Sequence, residues 1–269
     1  MTVKNSDTGE STEGKGKVKP CEEKIDQLKL EIENLKKEVA KAKMFSLAVL
    51  SNLSHEIRTP LNGIMGFTEI IADPSISNQE RNYYSDIITE SSNMLLSIIT
   101  DVLDISKIDS GTYRVYPIQF DLNDLMFQIY INFKPHAEKK ELQLFLENVI
   151  STPFRIESDP AIIEKILKKL IDNALKFTKQ GYVKFYYREE KNKIVFYVED
   201  TGIGIREEIR ESIFKKFTTQ PVSQSRHLGG TGIDLSLCFG LVKLLGGDIK
   251  LSSKCGIGSV FSFSISNIK

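Results

Sequence analysis

The sequence predicts an α+β chain. A coiled coil feeds a helical hairpin that pairs with a second copy as a four-helix bundle, and an α/β sandwich follows. Three observations predict this order. Ile25, Leu28, Ile32, Leu35 and Val39 recur at steps of three and four, with Glu and Lys on their flanks, which is a heptad seam. Two long amphipathic helical patterns then appear on either side of Asp73-Pro74-Ser75. Beyond Gly111 the pattern changes to short alternating segments interleaved with helical ones, as a layered α/β domain requires.

The elements follow in turn. Residues 1–20 are Lys, Gly, Ser, Thr and Glu with almost no large apolar side chain. They bury too little surface to offset chain entropy, and disorder is expected. Residues 21–44 form the coil, a linker of the kind that transmits a signal, and its phase continues through Ala42, Ser46, Val49 and Leu53. The hairpin occupies 45–111. Its first helix reaches about Ala72 with Pro60 inside it, where a kink is expected. The second opens with a Ser77/Glu80 capping box. It carries one apolar stripe through Tyr84, Ile87, Ile88, Ser91, Met94, Leu95, Ile98, Val102 and Ile105, and stops at Ser110-Gly111. Alone, the hairpin would expose two apolar faces, so a homodimer is expected.

The second domain spans 112–269. It reads as a strand over 115–120, a helix over 122–137 capped by Asp121, and a strand over 142–147. A helix opens at Asp159-Pro160 and runs to Phe177. Strands over 182–188 and 193–199 form a hairpin turning at Glu190-Lys191-Asn192. A loop-rich stretch from 200 to 235 leads to a helix ending at Leu245, the Gly246-Gly247 turn, and closing strands over 248–252 and 258–265.

Charge balances at 36 basic and 36 acidic residues, which removes any global electrostatic case for nucleic acid or an anionic membrane surface. Three separated cysteines fit neither a disulfide framework nor a metal cluster, and a reducing cytoplasm suits them. No apolar run approaches the ~18 residues that span a bilayer, although a parent protein anchored in a membrane is compatible with this chain.

Five stretches point to chemistry. Ser54-His55-Glu56-Ile57-Arg58-Thr59-Pro60 sets one of three histidines beside an acid on a helix. A solvated polar face is the plain alternative. In Asp172-Asn173-Ala174-Leu175-Lys176-Phe177-Thr178, Asn173 offers a neutral oxygen suited to Mg²⁺, Lys176 could reach a phosphate and Phe177 could stack on a base. An ordinary helix end would look similar. In Glu199-Asp200-Thr201-Gly202-Ile203-Gly204-Ile205, the acceptor-only carboxylate of Asp200 suits an exocyclic amine such as that of adenine, and the glycines permit a sharp turn against a ligand. A plain Asp-Gly turn is equally compatible. Phe214-Lys215-Lys216-Phe217 alone reads as core. Leu228-Gly229-Gly230-Thr231-Gly232-Ile233-Asp234-Leu235-Ser236 places a glycine-rich loop before a helix, an anion site for a polyphosphate. It lacks the lysine and spacing of a P-loop.

In this order, the motifs resemble the sensor histidine kinases of two-component signalling over about Phe45 to Ser266, including the core of hybrid-type members. The resemblance implies a dimerisation and histidine-phosphotransfer hairpin followed by an ATP-binding catalytic domain. ATP and Mg²⁺ are the implied cofactors, and a response-regulator receiver domain the implied partner. His55 would take the γ-phosphoryl group and pass it to a receiver aspartate. Glu56 would orient the imidazole and accept its proton, and Thr59 would position water when phosphate is removed from the regulator. Asn173 would hold Mg²⁺, Lys176 phosphate, and Asp200 adenine. Phe177, Gly202, Gly204, Gly230, Thr231, Gly232 and Leu235 would shape the nucleotide pocket and its lid.

Two departures stand out. Lys169 replaces an asparagine frequent in the family, and Asp234 replaces a usual glycine. Asp234 would either repel phosphate and lower ATP affinity, an effect relieved by Asp234→Gly, or cap the following helix. These departures motivate an alternative reading, a kinase-impaired signalling scaffold or response-regulator phosphatase. A third, an ATPase of the gyrase and MutL type, is opposed by the His-Glu-Ile-Arg-Thr-Pro hairpin.

Overall fold

The computed structural model describes residues 24, 27–29, 31–33, 36, 53–54, 56–147, 152–190, 193–210, 213–214 and 233–266. The chain divides into two compact units, Met1–Ser51 and Asn52–Lys269. In the first, the described residues are helical and exposed, the seam positions Leu28 and Ile32 included. The remaining seam positions from Ile25 to Val49, and the stretch expected to be disordered, lie outside the described residues.

The second unit begins with helix α1, helical over residues 56–71. It continues through Pro60, which removes one hydrogen bond without ending the helix. Asp73 closes the turn by accepting from the backbone N–H and the hydroxyl of Ser75, at 2.8 and 2.7 Å. Helix α2, Asn78–Asp109, starts where the sequence places it, on a complete capping box. The Ser77 hydroxyl accepts from the Glu80 N–H at 3.2 Å, while Glu80 Oε2 accepts from the Ser77 N–H at 2.9 Å. The two helices meet over the first part of α2. Phe67 stacks on Tyr84 with ring centroids 5.5 Å apart.

The rest of the unit is a helical layer on a sheet. Its order is β1 (Ile118–Asp121), α3 (Leu122–Lys139), β2 (Gln143–Leu146), β3 (Arg155–Ser158), α4 (Pro160–Phe177), β4 (Tyr182–Glu190), β5 (Lys193–Asp200), α5 (Glu207–Arg210), α6 (Ile233–Leu244), β6 (Ile249–Lys254) and β7 (Gly258–Ser266). Five strands form one sheet in the order β2-β4-β5-β7-β6, and β1 pairs with β3 apart from it. The large sheet is antiparallel except for β2 against β4, which run parallel.

Strand alternation builds the core. Ile194, Phe196 and Val198 of β5 point to the same face as Phe261, Phe263 and Ile265 of β7, and all are buried. Phe196 stacks on Phe263 at 4.6 Å between centroids. Helix α4 answers with Ile162, Ile163, Ile166, Leu167, Leu170, Ile171, Ala174 and Leu175, all buried. Each large aliphatic side chain so covered contributes about 1.5–3 kcal/mol. The helix begins at its cap: Asp159 Oδ1 accepts from the N–H groups of Ala161 and Ile162, ahead of Pro160 in the first helical position.

Two strands differ from the sequence expectation. The first starts at Ile118 rather than at 115, because the Tyr116 N–H is donated to Asp159 Oδ2 at 2.8 Å and is not available to a ladder. Strand β3 was not anticipated. Its four residues carry little pattern of their own and are fixed by pairing with β1. The expected hairpin between β4 and β5 is present in register from Glu190↔Lys193 onward. Its turn residues Lys191 and Asn192 lie outside the described residues.

Candidate functional site

The inward row of β5 ends in a carboxylate. Asp200 follows Ile194, Phe196 and Val198 at the same alternation, so the pleat that buries those apolar side chains buries it too, to 7 % exposure. Its Oδ1 accepts from the Gly202 N–H at 2.8 Å. Burial pushes the carboxyl above its ordinary pKa of 3.8, while hydrogen bonds from Gly202 and Ser259 pull it part of the way back. Ser259 is its cross-strand partner on β7 and is buried beside it.

The loop after Asp200 is tied to the end of α4 and to the β6–β7 turn. Ile203 donates to the carbonyl of Phe177 at 3.2 Å, and Gly256 donates to the carbonyl of Ile203 at 2.7 Å. Gly202 allows the first approach, since a Cβ there would lie 2.5 Å from the Phe177 carbonyl oxygen. Gly204 allows the second. Its φ is +66°, and a Cβ would collide with the carbonyl of Lys254. The asparagine-bearing helix end and the Asp-Gly loop are therefore one structure.

On α4, Lys165, Lys169 and Asn173 follow at steps of four and share a side of the helix. Asn173 is half-buried, and its amide makes no hydrogen bond to the described residues. Lys176 is exposed, with its ammonium 5.7 Å from the centroid of the half-buried Phe177 ring. Asp234 lies in the first turn of α6, with Leu235 half-buried beside it. It is not the cap of that helix. Its Oδ1 is 2.9 Å from Lys169 Nζ, so the two departures from the family pattern compensate each other.

Lys169 also pairs with Asp101 Oδ2 on α2. Lys165 holds the other oxygen of Asp101 at 3.0 Å and Asp104 Oδ2 at 2.6 Å. Sequence reading passed over Asp101, Asp104 and Lys165. The signal available was two acids beside the apolar stripe of α2, where Ile98 and Ile105 are buried.

On α1, Glu56 is half-buried and Thr59 exposed. Phe214 packs edge-on against Phe261, in keeping with a core role. His55, Phe217, Gly230, Thr231 and Gly232 lie outside the described residues.

The donors present fit a nucleotide with Mg²⁺. Asp200 offers acceptor oxygens in a buried site, at the head of a loop that Gly202 and Gly204 let pack against the Phe177 and Lys254 carbonyls. Asn173 offers an uncommitted oxygen. Among the described residues no cluster of three His, Cys, Asp or Glu side chains could cage a metal. A Mg²⁺ held by one protein oxygen, water and phosphate is compatible with that.

Comparison with known proteins agrees. The His Kinase A (phospho-acceptor) domain family matches residues 47–111. The Histidine kinase-, DNA gyrase B-, and HSP90-like ATPase family matches residues 158–267, and the two matches together span more than half of the chain. Sensor protein GacS of Pseudomonas syringae pv. syringae is 35% identical over 248 residues, covering 90% of this chain and 27% of that protein. The autoinducer 2 sensor kinase/phosphatase LuxQ of Vibrio cholerae is 33% identical over 220 residues, covering 80% of this chain and 26% of that protein. Full-length ShkA, solved in complex with AMPPNP, is 27% identical with a TM-score of 0.61, over 81% of this chain and 46% of that one. The chain thus spans about a quarter of the length of these curated relatives. A phospho-acceptor hairpin joined to an ATPase-type sheet, matched along both parts, places this chain in the sensor histidine kinases of two-component signalling.

Proposed function

We propose that the chain is an ATP-dependent protein-histidine autokinase core acting as a homodimer. A nitrogen of His55 attacks the γ-phosphorus, the bond from phosphorus to the ADP oxygen breaks, and ADP leaves with the electron pair. Glu56 accepts the proton from the other ring nitrogen, leaving a neutral ring that carries the anionic phosphoryl group. The phosphoryl group then passes to an aspartate of a response-regulator receiver domain. Thr59 positions water when the same helix dephosphorylates that regulator.

Asp200 reads the adenine amine, Phe177 packs against the base and Lys176 meets phosphate. Gly202, Gly204, Gly230, Thr231, Gly232 and Leu235 shape the pocket. Asn173 would hold Mg²⁺, which would supply charge neutralisation at the phosphates. The domain limits at 45–111 and 112–269 belong to this reading, as does a reducing cytoplasmic location, which suits the unpaired thiols of Cys238 and Cys255. No helix among the described residues is long and apolar enough to cross a membrane.

The observation that carries the reading is the buried Asp200 carboxylate at the head of the Gly202–Gly204 turn, tied to the end of α4. Incubation with γ-labelled ATP tests it. Acid-labile label should appear on the wild type and disappear in His55→Ala.

The tie of Lys169 to Asp101 and Asp234, which occupies its ammonium, motivates a second reading, a signalling scaffold or regulator-directed phosphatase with little kinase activity. It predicts no label, together with faster loss of phosphate from an aspartyl-phosphorylated regulator.

A further inference from the structure

Lys169 is held from two sides. Its ammonium pairs with Asp101 on the hairpin helix α2 and with Asp234 on α6, while its own helix belongs to the nucleotide domain. Its side chain is 18 % exposed. Burial alone would discourage its charge, but Asp234 and Asp101 outweigh that and hold the ammonium charged. Lys169 also lies one turn before Asn173, about 6 Å along the helix axis. It therefore sits between the hairpin and the place where the polyphosphate is expected.

We propose that Lys169 is an exchangeable cation: without nucleotide it ties α2 to the nucleotide domain through Asp101 and Asp234, and with nucleotide it moves to the terminal phosphates and releases α2. The proposal rests on the nucleotide reading above and adds a coupling between that site and the hairpin.

The surroundings make the exchange feasible. A buried charge stripped of its partner is strongly destabilised. Asp101, at 4 % exposure, would suffer this if Lys169 were its sole partner, but Lys165 keeps its other oxygen. Asp234 has a side chain 29 % exposed, so it can turn to water. A cavity of about 370 Å³ between α2 and α4, lined by Thr100, Asp101, Lys165 and Lys169, gives the lysine room to move. Ile108 of α2 meets α6 at Gly240, where no side chain holds it.

Linkage gives the test its sign. If nucleotide opens the contact, then weakening the contact must tighten nucleotide by the same factor. Amide hydrogen exchange over residues 98–108 and the Kd for AMPPNP with Mg²⁺ are measured on the full chain. Saturating AMPPNP should speed exchange of that segment roughly tenfold in the wild type, within the usual range of such couplings. Adenosine, which lacks phosphate, should not. Asp101→Asn should bind AMPPNP roughly tenfold more tightly, although the residue lies on the hairpin.

Asp234→Gly should also bind more tightly, and its segment 98–108 should exchange faster even without nucleotide. Simple repulsion of phosphate by Asp234 predicts no such change in exchange, so this variant decides the matter if Asp101→Asn does not fold. AMPPNP binding with unchanged exchange, and with wild-type affinity in both variants, overturns the latch alone. No AMPPNP binding to the wild type or to either variant removes the nucleotide site, and the latch with it.

Discussion

Asp200 is placed by packing, and the proposed function gives the same side chain a part in recognition. The alternation that fills the core carries its carboxylate inward, where burial raises its pKa above 3.8. A carboxyl whose folded pKa exceeds its unfolded value costs stability when ionised. The cost is complete above the folded pKa and fades as pH falls towards the unfolded one. Asp200→Asn keeps an oxygen for the Gly202 N–H and removes the charge. At pH 7.5 its melting temperature should equal or exceed that of wild type, and the difference should shrink as pH is lowered towards 4. Nucleotide affinity should fall meanwhile, by the roughly 1.5–3 kcal/mol of a hydrogen bond to a charged group. A variant that melts lower and binds as before would contradict both halves. Lys169 and Asp234 make the opposite point about residues. Asp234 by itself would repel phosphate, and only the contact shows the Lys169 ammonium beside it.

At the scale of elements, legibility followed how local the signal was. Helices α2 and α4 start where the sequence puts them, because Ser77 with Glu80 and Asp159 with Pro160 are chemical signals spanning four residues or fewer. Strand β3 exists through its partner and left no such mark. The ties between Asp200, Gly202, Phe177 and the β6–β7 turn join motifs whose order was legible and whose contacts were not. The Asp-Gly loop itself offers a test. Gly204 and Gly256 both have left-handed backbones, at φ +66° and +79°. Beyond Gly256 there is open space, whereas a Cβ on Gly204 meets Lys254. Gly256→Ala should cost about 1–2 kcal/mol of backbone strain, and Gly204→Ala distinctly more. Thermal unfolding of the two variants checks the order, and equal losses would show that the loop relaxes freely.

At the scale of the whole molecule, the hairpin leaves apolar surface uncovered. The buried Ile98 and Ile105 belong to the stripe read from sequence. A second row, Leu96, Ile99 and Leu103, is exposed at 61, 44 and 54%. Its steps of three and four suit a partner helix, which a second copy of the hairpin would supply in the proposed homodimer. Ile99→Glu with Leu103→Glu should convert a dimer to a monomer in analytical ultracentrifugation while nucleotide still binds. A dimer that survives both changes would put the contact elsewhere. The five-stranded sheet is guarded differently. One edge, β2, is four residues long, and the other, β6, carries Lys250 and Lys254. Short or lysine-bearing edges resist the addition of foreign strands. In the proposed homodimer the paired domains would sit at high local concentration, and edges of this kind would keep that crowding from turning into edge-to-edge aggregation.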